Sequence, residues 1–183
     1  MKKYVPKMYK SSIFDINYDK IYDTGIRCLI FDLDNTIVAA KESIPNKKVL
    51  YLIKKLKKKF DVYILSNNSS KKRVSNVCKL LEINFISFAM KPFSFGFKRL
   101  LKKYKYSPNE VCIIGDQIMT DVLGGNNMEI FTVLVEPIDS NELKVTSVNR
   151  FFERKKIAKL EKLGMFKKGE FYGWWKILYR LWC

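Results

Sequence analysis

Short apolar runs alternate with segments in which apolar residues recur at helical spacing, and this alternation extends from residue 26 to residue 135. The apolar runs predict five buried strands, at residues 26–33, 61–66, 85–89, 111–115 and 130–135. The segments between them predict amphipathic helices at residues 45–60, 69–82, 92–104 and 118–127. This alternation predicts an α/β fold with a doubly wound, parallel, five-stranded, Rossmann-like sheet.

The predicted core carries an additional segment at each end. Residues 1–25 form a basic N-terminal extension, predicted to be irregular except for a short helix near residues 17–23. Residues 26–150 contain the core, and residues 151–183 form a basic and aromatic helical tail. We expect one domain overall, because 183 residues suffice for one sizeable core and are few for two.

Polar side chains follow four of the predicted strands, at the point where each strand ends. The carboxyl ends of parallel strands lie at one edge of a sheet, and ligands of such folds bind beyond that edge. We therefore expect these side chains to come together. In chain order they are Asp32 and Asp34, Ser66 and Asn67, Lys91, Asp116 and Asp121.

The composition limits the chemistry that these residues can perform. The chain contains no histidine, which excludes Ser-His-Asp and Cys-His mechanisms and any histidine-ligated metal. Its four cysteines are scattered without metal-type pairing, as expected of a protein in a reducing compartment. Carboxylates, lysine, hydroxyl groups and a hard cation remain.

These groups suit the hydrolysis of a phosphate ester. Asp32 can attack phosphorus and form an aspartyl-phosphate, while Asp34 acts as general acid and then as general base. Mg²⁺ prefers oxygen ligands, which Asp32, the backbone carbonyl of Asp34 and Asp116 can supply. The hydroxyl group of Ser66 and the backbone amide of Asn67 can bind phosphoryl oxygens, and Lys91 adds a positive charge.

Each of these residues also has a purely structural interpretation. Asp32 and Asp34 could cap a turn, and Asp121 could cap the short helix at 118–127. Ser66 could be a helix N-cap, alone or in addition to binding phosphate. Asn67 could be a turn residue, and Lys91 could be a surface lysine. The occurrence of all of them at strand ends favours the catalytic interpretation.

The motifs "DLDNT", "SNN", "KP" and "GDQIMTD" resemble the four motifs of the haloacid dehalogenase (HAD) superfamily. "FDLDNTIV", "SNN…RV", "GDQIMTDVLGGN", "TVLVEP" and "NRFFERKK" (149–156) are similar to the YqeG-like subfamily of class IIIA phosphatases, over about residues 18–168. The resemblance implies a strand order of 5-4-1-2-3, the roles given above, and a role for Asp121 in supporting the metal site or orienting Lys91. It also implies phosphatidylglycerophosphate as substrate.

Three further features bear on the substrate. Only one helix fits between successive strands, which leaves no room for a cap domain, so we expect an open site for a large substrate. The net charge of +17 favours a phosphate-rich partner, although 29 lysines against six arginines could equally reflect the codon usage of an AT-rich genome. The tail "GEFYGWWKILYRLWC" (169–183) extends beyond the resemblance, and its basic and aromatic residues favour contact with the membrane surface over the alternative that it packs back on the domain or on a partner subunit.

These observations predict a cytoplasmic enzyme, peripheral on the inner face of the membrane, that removes phosphate from an anionic lipid. A phosphatase for polynucleotide 3′-phosphate ends or sugar phosphates is the first alternative, and a non-catalytic, basic scaffold that binds RNA or protein is the second. Nucleic acid is not favoured as a partner, because no clear set of base-stacking aromatic residues lies at the strand ends beyond Phe93 and Phe95, which are more simply interpreted as core or wall. No oligomeric state is predicted.

Overall fold

The computed structural model describes residues 1–139 and 147–173, and a parallel sheet forms its centre. Across the sheet the strands run in the order β1-β6-β5-β2-β3-β4, and every neighbouring pair is parallel. The six strands in the described part of the chain are β1 (Met8–Lys10), β2 (Cys28–Phe31), β3 (Asp61–Leu65), β4 (Asn84–Ile86), β5 (Val111–Gly115) and β6 (Phe131–Val135).

The helices between the strands begin at the carboxyl edge of the sheet, because each one follows the end of a strand. The Asn46 side chain caps α2 by accepting a hydrogen bond from the Val49 amide (2.9 Å), and the Ser70 side chain caps α3. The helices are α1 (Tyr18–Asp23), α2 (Lys47–Leu56), α3 (Lys71–Leu81), α4 (Ser94–Tyr104), α5 (Leu123–Asn127) and α6 (Ser147–Lys162). A π-helical turn, Ile118–Val122, precedes α5.

Apolar side chains cover both faces of the sheet. Phe31 and Ile64 belong to the cluster that contains the apolar faces of α2 and α3. Their neighbours Ile30 and Leu65 point the other way and pack in the cluster that contains Phe97 of α4. The sheet is therefore doubly wound, as predicted. Because its two faces are covered, a polar site can form at the carboxyl ends of its strands.

The predicted order 5-4-1-2-3 is confirmed for the five strands that the sequence indicated. The predicted number of strands was wrong, because Met8–Lys10 forms a sixth strand beside β6 within the segment expected to be irregular. Three residues are too few to show a pattern, and tertiary contacts bury them: Tyr9 is 1% exposed and its ring packs on Phe166 and Phe171. The backbone of Tyr9 also pairs with that of Tyr172 (2.9 and 3.0 Å).

The carboxyl edge carries loops rather than a cap. Residues 32–46, between β2 and α2, contain neither a helix nor a named strand, and the loops after β3 and β4 are shorter still. The site is thus open in the part of the chain that the structure describes. None of the helices in the described ranges is long and apolar enough to cross a bilayer. The predicted aromatic tail lies outside the described residues from position 174 onward.

Candidate active site

Lys91 joins two aspartates at the carboxyl edge of the sheet. Its ammonium nitrogen lies 2.6 Å from an oxygen of Asp32, directly after β2, and 2.6 Å from an oxygen of Asp121, in the π-helical turn. The Lys91 side chain is 1% exposed, and those of Asp32 and Asp121 are 9% and 2% exposed. The interpretation of Lys91 as a surface lysine was therefore wrong. A buried ion pair held by two hydrogen bonds fixes the position of the Asp32 carboxylate.

The electrostatic balance of this cluster is unusual. Burial raises the pKa of Asp32 to about 7; the attraction of Lys91 opposes this effect, and the negative charges of Asp121 and Asp34 reinforce it. Burial acts to lower the pKa of Lys91, but the carboxylates of Asp121 and Asp32 outweigh it and raise the pKa above its ordinary value. Lys91 thus stays charged, while a further positive charge is needed to keep all the carboxylates ionised.

The donor set fits a divalent cation. Carboxylate oxygens of Asp32, Asp116 and Asp121 lie within 4.8 Å of one another, and all three residues are buried. Three carboxylates against one lysine leave two negative charges, which a hard divalent ion bound to oxygen would balance. This cluster includes Asp121 in addition to the predicted ligands Asp32 and Asp116. The role of the Asp34 backbone carbonyl as a ligand stays a prediction.

Asp34 lies beside this cluster, in a different environment. One carboxylate oxygen accepts a hydrogen bond from Arg73 (2.5 Å), and the other accepts one from the Asn68 side chain (3.0 Å). Its side chain is 26% exposed, against 9% for Asp32. The two aspartates are therefore distinct: Asp32 is buried against a lysine, and Asp34 is accessible to water and to a leaving group.

Arg73 is a site residue that the sequence interpretation missed. Besides Asp34, its guanidinium group binds the backbone carbonyl oxygens of Ala39 (3.2 Å) and Glu42 (2.6 Å). It thereby connects the first turn of α3 to the loop after β2. The "RV" of the second motif could have indicated it. A positively charged arginine in the first turn of a helix is unfavourable, because that turn is the positive end of the helix dipole, and such a residue suggests a role outside the helix.

A side chain of the loop after β3 binds the backbone of Lys91 and so holds this residue in position. The Asn67 side chain accepts a hydrogen bond from the Lys91 amide (2.7 Å) and donates one to the Lys91 carbonyl oxygen (2.9 Å). Ser66 is 1% exposed, and its hydroxyl oxygen accepts a hydrogen bond from the Asn68 amide (3.0 Å). Ser70, not Ser66, is the N-cap of α3, so that structural alternative was wrong. The phosphate-binding roles of Ser66 and Asn67 stay predictions.

Two contacts hold the loop after β5 in place. A carboxylate oxygen of Asp121 accepts a hydrogen bond from the Gln117 amide (3.2 Å), and a carboxylate oxygen of Glu153 on α6 accepts one from the Ile118 amide (2.6 Å). Glu153 is buried and lies in the "NRFFERKK" segment, whose contribution to the site the sequence did not reveal. Helix α6 therefore supports the acidic cluster.

The metal-free protein is expected to gain stability when Asp32 is replaced by asparagine, and to gain more at pH 8 than at pH 5. A carboxyl group whose pKa rises on folding contributes stability that is complete below its ordinary pKa of 3.8 and is lost as the pH rises through about 7. Asparagine has no proton to lose, so the variant's advantage over the wild type should grow by about 2–3 kcal/mol between pH 5 and pH 8. Urea unfolding in EDTA measures the difference.

The exposed Asp23 provides the control, because Asp23→Asn removes a carboxylate that is already in water. Saturating magnesium should abolish the advantage of Asp32→Asn, since the ion favours the ionised carboxylate. An advantage that does not change with pH would contradict this description of Asp32.

Gly115→Ala is expected to displace Asp121. A Cβ atom at Gly115 would lie 2.3 Å from the carboxyl carbon of Asp121 and 2.3 Å from one of its oxygens. We expect a loss of about 1–3 kcal/mol in the free energy of unfolding, as for other overpacked sites, together with weaker divalent-ion binding. Calorimetric titration with Mg²⁺ and urea unfolding measure the two effects. Gly173→Ala is the control, because the nearest atoms there are 4.0 Å away; equal Mg²⁺ affinity in both variants would contradict the expectation.

Comparison with known proteins agrees with this geometry. A HAD-hydrolase-like family model matches residues 88–137. The protein named "Probable phosphatase YqeG" from Bacillus subtilis (strain 168) is 32% identical over 164 residues, which cover 89% of this chain and 95% of the relative.

Two solved structures show the same fold. A HAD family enzyme from Bacteroides thetaiotaomicron, in a magnesium complex, gives a TM-score of 0.51 at 16% identity and covers 66% of this chain and 99% of its own. A crystal structure of an uncharacterized protein from Listeria monocytogenes serotype 4b gives a TM-score of 0.51 at 14% identity and covers 72% and 99%.

Proposed function

The chain belongs to the HAD superfamily, in the subfamily of the phosphatase YqeG, and we propose that it is a magnesium-dependent phosphatase that dephosphorylates phosphatidylglycerophosphate at a membrane surface. One observation carries the chemistry: the buried Asp32 is held by Lys91 in an acidic cluster, while a second, accessible carboxylate stands two residues away. This arrangement supplies a nucleophile, a cation site and a proton carrier at one edge of the sheet.

In the first step, a carboxylate oxygen of Asp32 attacks the phosphorus atom and forms an acyl phosphate. The bond between phosphorus and the ester oxygen breaks, and Asp34 gives its proton to that leaving oxygen. Lys91 remains charged and holds the attacking carboxylate in position. A bound magnesium ion would neutralise charge on the carboxylates and the phosphoryl group when they approach each other.

In the second step, water attacks the phosphorus atom of the acyl phosphate while Asp34, now a carboxylate, takes a proton from it. The bond to the Asp32 oxygen breaks, which releases inorganic phosphate and restores both carboxyl groups to their starting states. Arg73 and Asn68 hold the Asp34 carboxylate by its two oxygens, so its position does not depend on substrate. Asp34 thus acts once as an acid and once as a base.

The open site supports a large substrate. Only the loop of residues 32–46, α2 and residues 57–60 separate β2 from β3, and they contain no inserted cap domain. A lipid whose acyl chains stay in a bilayer fits such a site, and the net charge of +17 favours an anionic surface. The similarity to YqeG supports phosphatase activity, and the subfamily resemblance supports this lipid.

A phosphate-release comparison tests the proposal. The purified full chain is given phosphatidylglycerophosphate in mixed micelles, a 3′-phosphorylated oligonucleotide and sugar phosphates, each with Mg²⁺ and with EDTA. We expect phosphatidylglycerophosphate to give a kcat/KM at least tenfold above the other substrates, and EDTA to abolish release from all of them. Efficient hydrolysis of a soluble phosphate with no activity on the lipid would refute the lipid assignment, and activity in EDTA would refute the dependence on magnesium.

A further inference from the structure

Four large apolar side chains project into solvent around the loop that carries Lys91. We call them the apolar rim: Phe88 (61% exposed), Met90 (41%), Phe93 (73%) and Phe95 (55%). An exposed apolar patch of this kind in a folded domain is typical of a contact surface. The rim follows β4 and therefore lies at the carboxyl edge, where the catalytic residues are.

Backbone hydrogen bonds join the rim to the active site. The Phe88 amide donates to the carbonyl oxygen of Asn68 (3.3 Å), and the Ala89 amide donates to that of Ser66 (2.9 Å). A Cβ atom at Gly96 of α4 would lie 2.5 Å from the Ala89 carbonyl oxygen, so this loop and α4 are closely packed. The rim is thus held in a fixed position next to Lys91.

The aromatic residues occupy positions where the local backbone favours small polar residues. Phe88 has a φ of +53°, in the left-handed region that asparagine and glycine adopt more readily. Phe93 is the N-cap of α4 and makes no side-chain capping bond, although serine or aspartate there would accept a hydrogen bond from the first turn and stabilise the helix. Neither residue improves the local fold, which indicates that the exposed rings serve a contact outside the chain.

Positive charge surrounds the same edge. The first turn of α2 carries Lys47 and Lys48, the first turn of α3 carries Lys71 and Lys72, and neither turn contains an acidic residue. All four lysines are exposed. Lysines are unfavourable at the positive end of a helix dipole, so these first turns, like the positions of Phe88 and Phe93, carry residues that lower the stability of the local structure. Together the helix ends and lysines make the catalytic edge attractive to a dense negative surface.

We propose that the apolar rim docks the enzyme on an anionic lipid bilayer. The rim side chains enter the boundary between headgroups and acyl chains, and the lysines of α2 and α3 contact the headgroups. This orientation points the acidic cluster at headgroup phosphates, so the inference rests on the proposed lipid phosphatase function and explains how the substrate is reached. A bilayer is favoured over RNA because it can cover all four apolar side chains at once, Met90 included, while a nucleotide end stacks on one or two rings.

Vesicle sedimentation with the full chain tests the proposal. The double variant Phe88→Asn/Phe93→Ser removes both rings with residues that suit the two backbone positions. We expect its partition onto vesicles of phosphatidylcholine and phosphatidylglycerol (1:1) to fall at least tenfold. Leu80→Gln, at the opposite end of α3 where Leu80 is 52% exposed, should bind as the wild type does.

Two double variants test whether the lysines of α3 contribute to vesicle binding through their position or only through their charge. Lys71→Gln/Lys72→Gln should weaken the partition at least threefold, whereas Lys102→Gln/Lys103→Gln, in the last turn of α4, should change it less than twofold. Both variants lose the same net charge. Equal effects would mean that only the overall charge counts and would overturn the proposed orientation.

Amide hydrogen exchange of the unmodified chain provides a test that needs no variant. Vesicles should protect residues 87–95 and leave residues 76–82 unchanged. Unchanged partition of the rim variant, or protection elsewhere only, would overturn the docking proposal, as would a rim-dependent affinity for single-stranded RNA without one for vesicles. The two proposals fail separately: vesicle binding through the rim without lipid hydrolysis refutes the substrate, and lipid hydrolysis with rim-independent binding refutes the docking surface.

Discussion

Replacing Asp32 with asparagine is expected to lower kcat for phosphate release by at least about 10³-fold on every substrate, because the acyl phosphate of the proposed mechanism can no longer form. The side chain keeps its shape, and the amide can still accept the hydrogen bond from Lys91. We therefore expect the variant to fold and, in EDTA at pH 8, to be more stable than the wild type. Gain of stability together with loss of activity is typical of a functional carboxylate held in an unfavourable environment.

Phosphate release with Mg²⁺ and urea unfolding in EDTA measure the two effects on the same preparation. Asp23→Asn changes an exposed carboxylate at the end of α1 and should leave both the activity and the free energy of unfolding unaltered. A variant at Asp32 that retains a tenth of the activity would show that another group attacks phosphorus.

Replacing Lys91 with methionine is expected to have the largest effect on stability. The substitution leaves Asp32 and Asp121 buried without the cation that contacts both. Removing one partner of a buried ion pair lowers the free energy of unfolding by about 3–5 kcal/mol. Activity should fall as well, because the Asp32 carboxylate loses the contact that positions it. Saturating Mg²⁺ should restore part of the stability, since it supplies another positive charge.

A second substitution separates the charge effect from the loss of packing. Lys91→Met/Asp121→Asn removes one of the two uncompensated carboxylates and should recover at least half of the lost free energy of unfolding, without recovering activity. Lys98→Met, on the exposed side of α4, is the control and should change little. If the double variant is no more stable than Lys91→Met, the network described around Lys91 is incorrect.

The carboxyl-edge residues could be predicted because strand ends are visible in a sequence. Asp32 and Asp116 follow apolar runs directly, and a parallel sheet brings such positions together whatever the details of its loops. Arg73 and Glu153 could not be found in this way. Their contacts depend on where α3 and α6 come to lie, and no periodic pattern encodes the distance from a helix to a loop on another element.

A few residues were misassigned from residue type and local pattern, because contacts between distant elements decide their environment. Ser66 fits a helix N-cap by type, but the turn after β3 uses its hydroxyl group for the Asn68 amide. Helix α3 begins five residues later, at Lys71, with Ser70 as its cap. Strand β1 is held by ring packing around Tyr9, which a three-residue pattern does not reveal. The apolar residues near Lys91 were interpreted as core or wall; the structure exposes Phe93 and Phe95 instead.

The division of roles between Asp32 and Asp34 is the central claim, and the time course of the Asp34→Asn variant with p-nitrophenyl phosphate tests it most directly. The p-nitrophenolate leaving group needs no proton, so Asp32 should still be phosphorylated, while hydrolysis of the acyl phosphate should lack its base. We predict a burst of one p-nitrophenolate per enzyme with Mg²⁺, slow turnover afterwards, and one phosphoryl group bound to Asp32. A linear time course with no burst and no phosphoryl group on Asp32 would contradict the claim.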